Sequence, residues 1–483
     1  MDMNVISSPN SEKKGGCTTN CTLANKYLTS LPKKLKDNVV NFALETKKLG
    51  QEDPRRIFHA LKVGFAITVV SLFYYFQALY NGFGVSAMWA VITVVVVFEY
   101  TVGATLGKGL NRMISTCIAG FLGVVAHYLA DLSGDTGEPI LLALFGFIVA
   151  STMTFMRFFP KLKARYDYGL MIFILTFALV AVSGYRDDEV IKMAQQRLST
   201  IIIGSCIAMI ICIFISPVWI GAEFHFLIAS NIHKLANFLQ GFGSEYLKMK
   251  DEKSKEEETF RQQYKSVLGT KTTEETMANL ASWEPSHGKF KFSHPWKQYL
   301  KVGALTRMCA YRVDALNNCL NSDILQVETP EEIQEKMKES CKKLSSELGK
   351  VLKEVSLGLK KTKKTATAKT QLRETKKAAH ELKMLLQETS LWEKFNLLDV
   401  LPAATVASIL IDIVDCVENI IEEVHELASM ADFKSMDSAV CPENQLSQII
   451  VVGEVTTTDK NNHGPDLKGP TPSVAEPEIK SLQ

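Results

Sequence analysis

The chain has 483 residues, 47% hydrophobic and 22% charged, with a formal net charge of +2. So balanced a charge lacks the excess of Lys and Arg that displaces counterions from phosphate, which excludes a nucleic-acid binder. Mean hydropathy is only +0.06, but the apolar residues crowd between Ile57 and Gly221, which excludes a single soluble domain.

Residues 1–56 form a polar arm that carries Lys13, Lys14, Lys33, Lys34 and Lys36 and contains no apolar core of the kind a signal peptide needs. Six apolar segments follow, at 60–80, 85–106, 109–130, 140–159, 168–184 and 198–220. A bilayer core of about 30 Å takes about 20 helical residues, so each is expected to span, and in lipid their backbones must be helical. The first loop, near Asn81, and the third, 131–139, contain no Lys or Arg. The second carries Lys108 and Arg112, and the fourth carries Arg157, Lys161, Lys163 and Arg165. By the positive-inside rule both termini face the cytosol, and the mixed fifth loop is outvoted. The plasma membrane is the expected location, ahead of the vacuolar one.

Beyond Pro217 the sequence becomes charged and periodic, with helices expected at 223–248, 295–321, 330–359, 366–390 and 400–430. In the last, Asp412, Asp415, Glu418, Glu422 and Glu423 form a polar stripe, so a packed amphipathic helix is expected there and not a seventh span. Residues from 438 onward are rich in Pro, Gly, Thr and Asp and read as a disordered tail. The expected fold is therefore all-α, with a six-helix transmembrane domain at 57–221 followed by a cytosolic helical domain at 222–437.

No enzyme signature is present. Gly103 to Lys108 looks like a phosphate loop but is one residue short and lacks the hydroxyl that holds magnesium. The ten cysteines form no CxxC pair, and no metal or cofactor is expected. The charges at the membrane edge are more informative. Lys108 and Arg112 are four apart and share a helical face. They either anchor the helix end among headgroups or line a pore, where cations lower the barrier for an anion. Arg197 begins a Leu-Ser-Thr run much as Arg112 begins Met-Ile-Ser-Thr. If helices one to three and four to six are inverted halves, the two arginines sit at opposite mouths of one pathway. Glu99, placed deep in the second segment, needs a partner such as Lys108 or Arg112 and serves as a gate or a fixed ion pair.

Met88 to Glu99, Thr101 to Arg112, Tyr166 to Gly169, Phe173 to Ala178 and Ser216 to Gly221 resemble the aluminium-activated malate transporters of plants, within the aromatic acid exporter group. Trp283, Glu284 and Pro285, followed by His287 and Gly288, fit the same family. The resemblance implies a homodimeric, passive channel for malate and other anions, with pore cations at Lys108 and Arg197 and a third candidate at Arg112. It also implies a regulatory segment at Phe214, Pro217, Trp219, Gly221 and His225, from whose acidic form Ala222 and Phe224 depart. The outer loops offer few converging carboxylates for a hard trivalent cation, so opening without aluminium is expected. A proton-coupled organic acid exporter and a membrane-anchored scaffold are the alternatives.

Overall fold

A computed structural model describes residues 37–76, 87–184, 190–245, 262–291, 293–321, 331–364, 367–387 and 397–434. The expected disordered tail and most of the basic arm lie outside them. The described residues are helical, with only isolated β-bridges. Residues 37–56 fall in one compact unit and 57–440 in a second, which carries every feature discussed below.

The apolar part comprises α1 (Pro54–Tyr75, of which 57–75 belong to the second unit), α2 (Ala87–Val97), α3 (Val102–Asp131), α4 (Gly134–Met156), α5 (Pro160–Gly184) and α6 (Val190–Phe214). Their outward faces carry exposed Leu144, Phe147, Ile148 and Ile210, a surface suited to lipid and costly in water. Together they form the membrane part of a multi-pass protein. Of the six helices long and apolar enough to cross a bilayer, five lie here.

The helix boundaries differ from those the apolar runs imply. The second segment breaks at 98–101, not near residue 107, because Thr101 adopts an extended conformation and its hydroxyl accepts from the Ala104 amide to cap α3. Glu99 therefore lies in this linker and not deep within a span, while Lys108 and Arg112 lie inside α3 and not in a loop. Likewise α4 takes in Pro139 and α5 begins at Pro160, so Lys161, Lys163 and Arg165 ride on the first turns of α5. Proline is tolerated in a first turn, where its missing N–H would find no helical acceptor.

The remaining helices are α7 (Ile220–Glu245), α8 (Lys265–Leu268), α9 (Lys271–Ala281), α10 (Trp296–Asn321), α11 (Glu331–Lys361), α12 (Thr367–Gln387) and α13 (Leu397–Met430). Five match the expected helices to within a few residues, and α8 and α9 are additions. Apolar residues at three and four spacing place Phe224, Ile228, Ile232, Leu235 and Leu239 of α7 against Leu344, Leu348, Val351 and Val355 of α11 in one buried core. Each such side chain contributes about 1.5–3 kcal/mol on burial. The sixth helix of spanning length, Val400–Met430, belongs to this core: Val406, Leu410, Ile413, Val417 and Ile420 are fully buried in it. The Ser356 hydroxyl donates to the Ala229 carbonyl at 2.7 Å and ties α11 to α7.

Candidate functional site

The site begins at the break between α2 and α3. Thr105, fully buried, closes it: its hydroxyl oxygen accepts from the Glu99 amide at 3.0 Å, and the hydroxyl faces the Thr101 carbonyl at 3.1 Å. The Glu99 carboxylate accepts from Lys108, one and a half turns farther along α3. The Lys108 ammonium also lies 5.7 Å from the centre of the Tyr168 ring. Its charge is thus balanced locally.

Arg112 is different. It lies about 15 Å along α3 from Val102. The residue is 4% exposed. One guanidinium nitrogen donates to the Tyr168 hydroxyl at 3.0 Å, and Nε has no hydrogen-bond partner among the described residues. Arg197 on α6 lies over the Trp89 ring at 4.8 Å, a cation–π contact worth about 0.5–2 kcal/mol. Neither arginine forms an ion pair among the described residues.

Both arginines line one cavity of about 370 Å³, enclosed by α3, α5, α6 and Trp89 of α2. Thr116, Thr176 and Gln195 supply further polar groups, Val124 and Leu175 supply apolar wall, and no Asp or Glu is among the described lining residues. A buried cation without a counter-ion costs several kcal/mol. An anion in the cavity offsets that cost, and the volume lies in the usual range for small ligands. Arg112 and Arg197, the residues the two halves equate, thus face one cavity and not opposite mouths, while Lys108 and Glu99 lie outside its lining.

A second cluster joins the membrane helices to the helical region. The Glu284 carboxylate accepts from the Ile220 amide at 2.7 Å and the Gly221 amide at 3.0 Å, which caps α7. Gly221 is required because a Cβ there would lie 2.7 Å from Trp296 and 2.9 Å from the Glu284 carboxylate. The His287 ring stacks on Trp219 at 3.8 Å and brings Nε2 to 3.8 Å from Glu284. Trp283 packs against Gly107 and edge-on to Tyr166, with the Arg165 guanidinium 4.5 Å from its ring. Gly103 lies so close to α9 that a Cβ would come within 2.3 Å of the Leu280 carbonyl. The glycines of the apparent phosphate loop are therefore packing positions.

Burial pushes the Glu284 carboxyl up from 4.5 to about 7, against the backbone donors that favour its charged form and with help from like-charged Glu223. Burial also lowers His225 and His294 to about 4, so both are neutral near pH 7, and their rings hydrogen-bond the Tyr299 hydroxyl at 2.8 and 3.2 Å.

The sequence segment from Phe214 to His225 therefore divides. Phe214 and Pro217 are exposed, Trp219 and Gly221 join Glu284 and His287, and His225 lies in the aromatic core. Pro285 contributes its carbonyl to His287 Nδ1 at 2.9 Å. Sequence reasoning gave no role to Thr116, Trp89 or Tyr168. Thr116 was accessible to it, being one turn from Arg112 on the same helical face. Tyr168 and Trp89 reach the site from other helices.

A bundle of apolar helices with a buried arginine and a second, partly buried one, neither ion-paired among the described residues, on one cavity has the make-up of a membrane transport protein. The aluminium-activated malate transporter family model matches residues 47–393 and 386–428. Relatives include aluminum-activated malate transporter 2 of Arabidopsis thaliana, 51% identical over 403 residues that cover 83% of this chain and 80% of that protein. Aluminum-activated malate transporter 1 of the same plant is 48% identical over 409 residues, covering 83% and 82%. The wheat (Triticum aestivum) protein of that name is 42% identical over 435 residues, covering 87% and 91%. The chain belongs to the aluminium-activated malate transporter family.

Proposed function

We propose that this protein is a passive, anion-selective channel that conducts malate and inorganic anions, and that it opens without aluminium. The observation that carries the reading is the pair Arg112 and Arg197 on one cavity that has no Asp or Glu among its described lining residues. Fixed cations without carboxylate partners attract an anion, and polarised apolar walls around a small number of donors let it leave again. In this reading residues 57–221 conduct, residues 222–437 form a cytosolic regulatory domain and both termini lie in the cytosol. The channel sits in the plasma membrane, and two copies pair through the apolar faces of the membrane helices. The Glu284 junction transmits changes in the helical domain to α3 and α6.

Whole-cell recording in oocytes tests this. Arg112→Gln and Arg197→Gln are expected to reduce malate and chloride currents at least tenfold with surface protein maintained, and added aluminium is expected to leave wild-type current unchanged. Wild-type currents in both variants refute the pathway, and a large aluminium-dependent rise refutes aluminium independence. A proton-coupled exporter would need Glu99 to exchange protons, whereas Glu99 is engaged by Lys108. Reversal potentials that follow pH and ignore the malate gradient would favour that exporter.

A further inference from the structure

We infer that Thr116 reads the hydroxyl of the transported anion, so that the cavity prefers 2-hydroxydicarboxylates over dicarboxylates without that group. This rests on the cavity being the anion pathway.

Thr116 lines the cavity and is 3% exposed, and its hydroxyl has no hydrogen-bond partner among the described residues. That is unusual for a helical threonine, whose hydroxyl commonly donates to the carbonyl one turn back. Such bonds occur elsewhere in this chain: Thr68, Thr93 and Thr200 each donate to the carbonyl four residues earlier, at 2.7–2.9 Å. A buried hydroxyl without a partner costs about 1–3 kcal/mol, and it lies on a wall already holding an unpaired guanidinium nitrogen.

Position supplies the rest of the argument. Thr116 follows Arg112 by four residues, so their Cβ atoms are about 5–6 Å apart on one face of α3. In a 2-hydroxy acid the hydroxyl is on the carbon next to a carboxylate. A carboxylate held by Arg112 therefore leaves its neighbouring hydroxyl within reach of Thr116, while Arg197 of α6, which lines the same cavity, is available to the second carboxylate. The threonine hydroxyl can donate or accept, which suits either orientation of the ligand hydroxyl. A site that hydrogen-bonds a substrate hydroxyl discriminates against the analogue lacking it, because the site's own buried group is then left unpaired.

The test compares malate with succinate, which differ only in this hydroxyl, in oocytes expressing the full chain. The wild type is expected to favour malate by roughly 3–10-fold in permeability, as one neutral hydrogen bond allows. Thr116→Val, which keeps the shape, is expected to bring the malate-to-succinate ratio near one, and Thr116→Ser is expected to keep the preference. A wild-type ratio near one, or a Thr116→Val ratio equal to wild type, overturns the inference. If Thr116→Val does not reach the surface, Thr116→Ala and Thr116→Ser are compared in the same way. Loss of current in Arg112→Gln and Arg197→Gln alongside an unmoved Thr116→Val ratio discards the hydroxyl reading alone. Wild-type currents in the arginine variants discard the pathway with it.

Discussion

Replacing Glu284 by Gln should remove a pH dependence from the junction between the membrane helices and the helical region. Burial holds the Glu284 carboxyl near 7 in the folded protein, well above 4.5. The folded state therefore binds this proton more tightly than the unfolded chain does. The stability it contributes is present in full below 4.5 and is lost as pH rises through about 7. Linkage gives roughly 1.3 kcal/mol between pH 6 and pH 8. For a helical region of this size that is a fall in Tm of roughly 3–5 °C from pH 6 to pH 8. Other titrating groups at the junction interfere little: His225 and His294 sit near 4, and burial lowers His287 as well. Glu223 on α7 is the remaining nearby carboxylate. Thermal unfolding of the purified full chain in detergent, followed by tryptophan fluorescence, would measure the effect, since Trp219, Trp283 and Trp296 all lie at this junction. The Gln variant is expected to show a flatter dependence on pH, and to be less stable at pH 8 because the amide NH₂ faces a backbone N–H. An identical slope in wild type and Glu284→Gln, or a wild type that gains stability from pH 6 to pH 8, refutes the reasoning.

Two further outcomes follow from the packing. Gly103→Ala places a methyl group 2.3 Å from the Leu280 carbonyl, and because the neighbour is backbone the strain cannot be relieved by a rotamer change. A loss of about 1–3 kcal/mol is expected, read as a lower yield of monodisperse protein. Cys117 is exposed and lines the cavity, whereas Cys309 and Cys341 are buried with thiols raised by desolvation. A charged methanethiosulfonate reagent is therefore expected to block current through Cys117, with protection by malate and no block in Cys117→Ala.

The helical region was the more legible half of the sequence. Its helices alternate apolar and charged residues at three and four, and α7, α10, α11, α12 and α13 stand within a few residues of the ends that pattern implies. The short α9 was missed because its Lys-Thr-Thr-Glu-Glu start shows little apolar period. Membrane segments were visible as lengths of apolar sequence, but lipid exposure erases the period that would mark their ends. The run from Met88 continues through Phe98 without a polar gap, and only Thr101, read as a cap, would have placed the break there. Arg112 and Arg197 were visible as charges in apolar surroundings. Their common cavity was not, because it assembles from four helices separated by about a hundred residues. The junction was legible only as two fragments: Trp219 with Gly221, and Trp283 with Glu284 and His287, meet through hydrogen bonds that span more than 60 positions.

The same separation governs how the chain is made. Lys62 on α1 is 3% exposed and donates to the Ser216 carbonyl at 3.0 Å, 154 residues later, beyond the end of α6. The Thr105 hydroxyl at the α2–α3 break likewise receives the Cys212 thiol, 107 residues later. Translation at roughly 5–20 residues per second leaves that ammonium without its acceptor for about 8–30 s. Until the residues after α6 have been made, Lys62 lacks this acceptor, so the packing of the first helices is completed only late in synthesis.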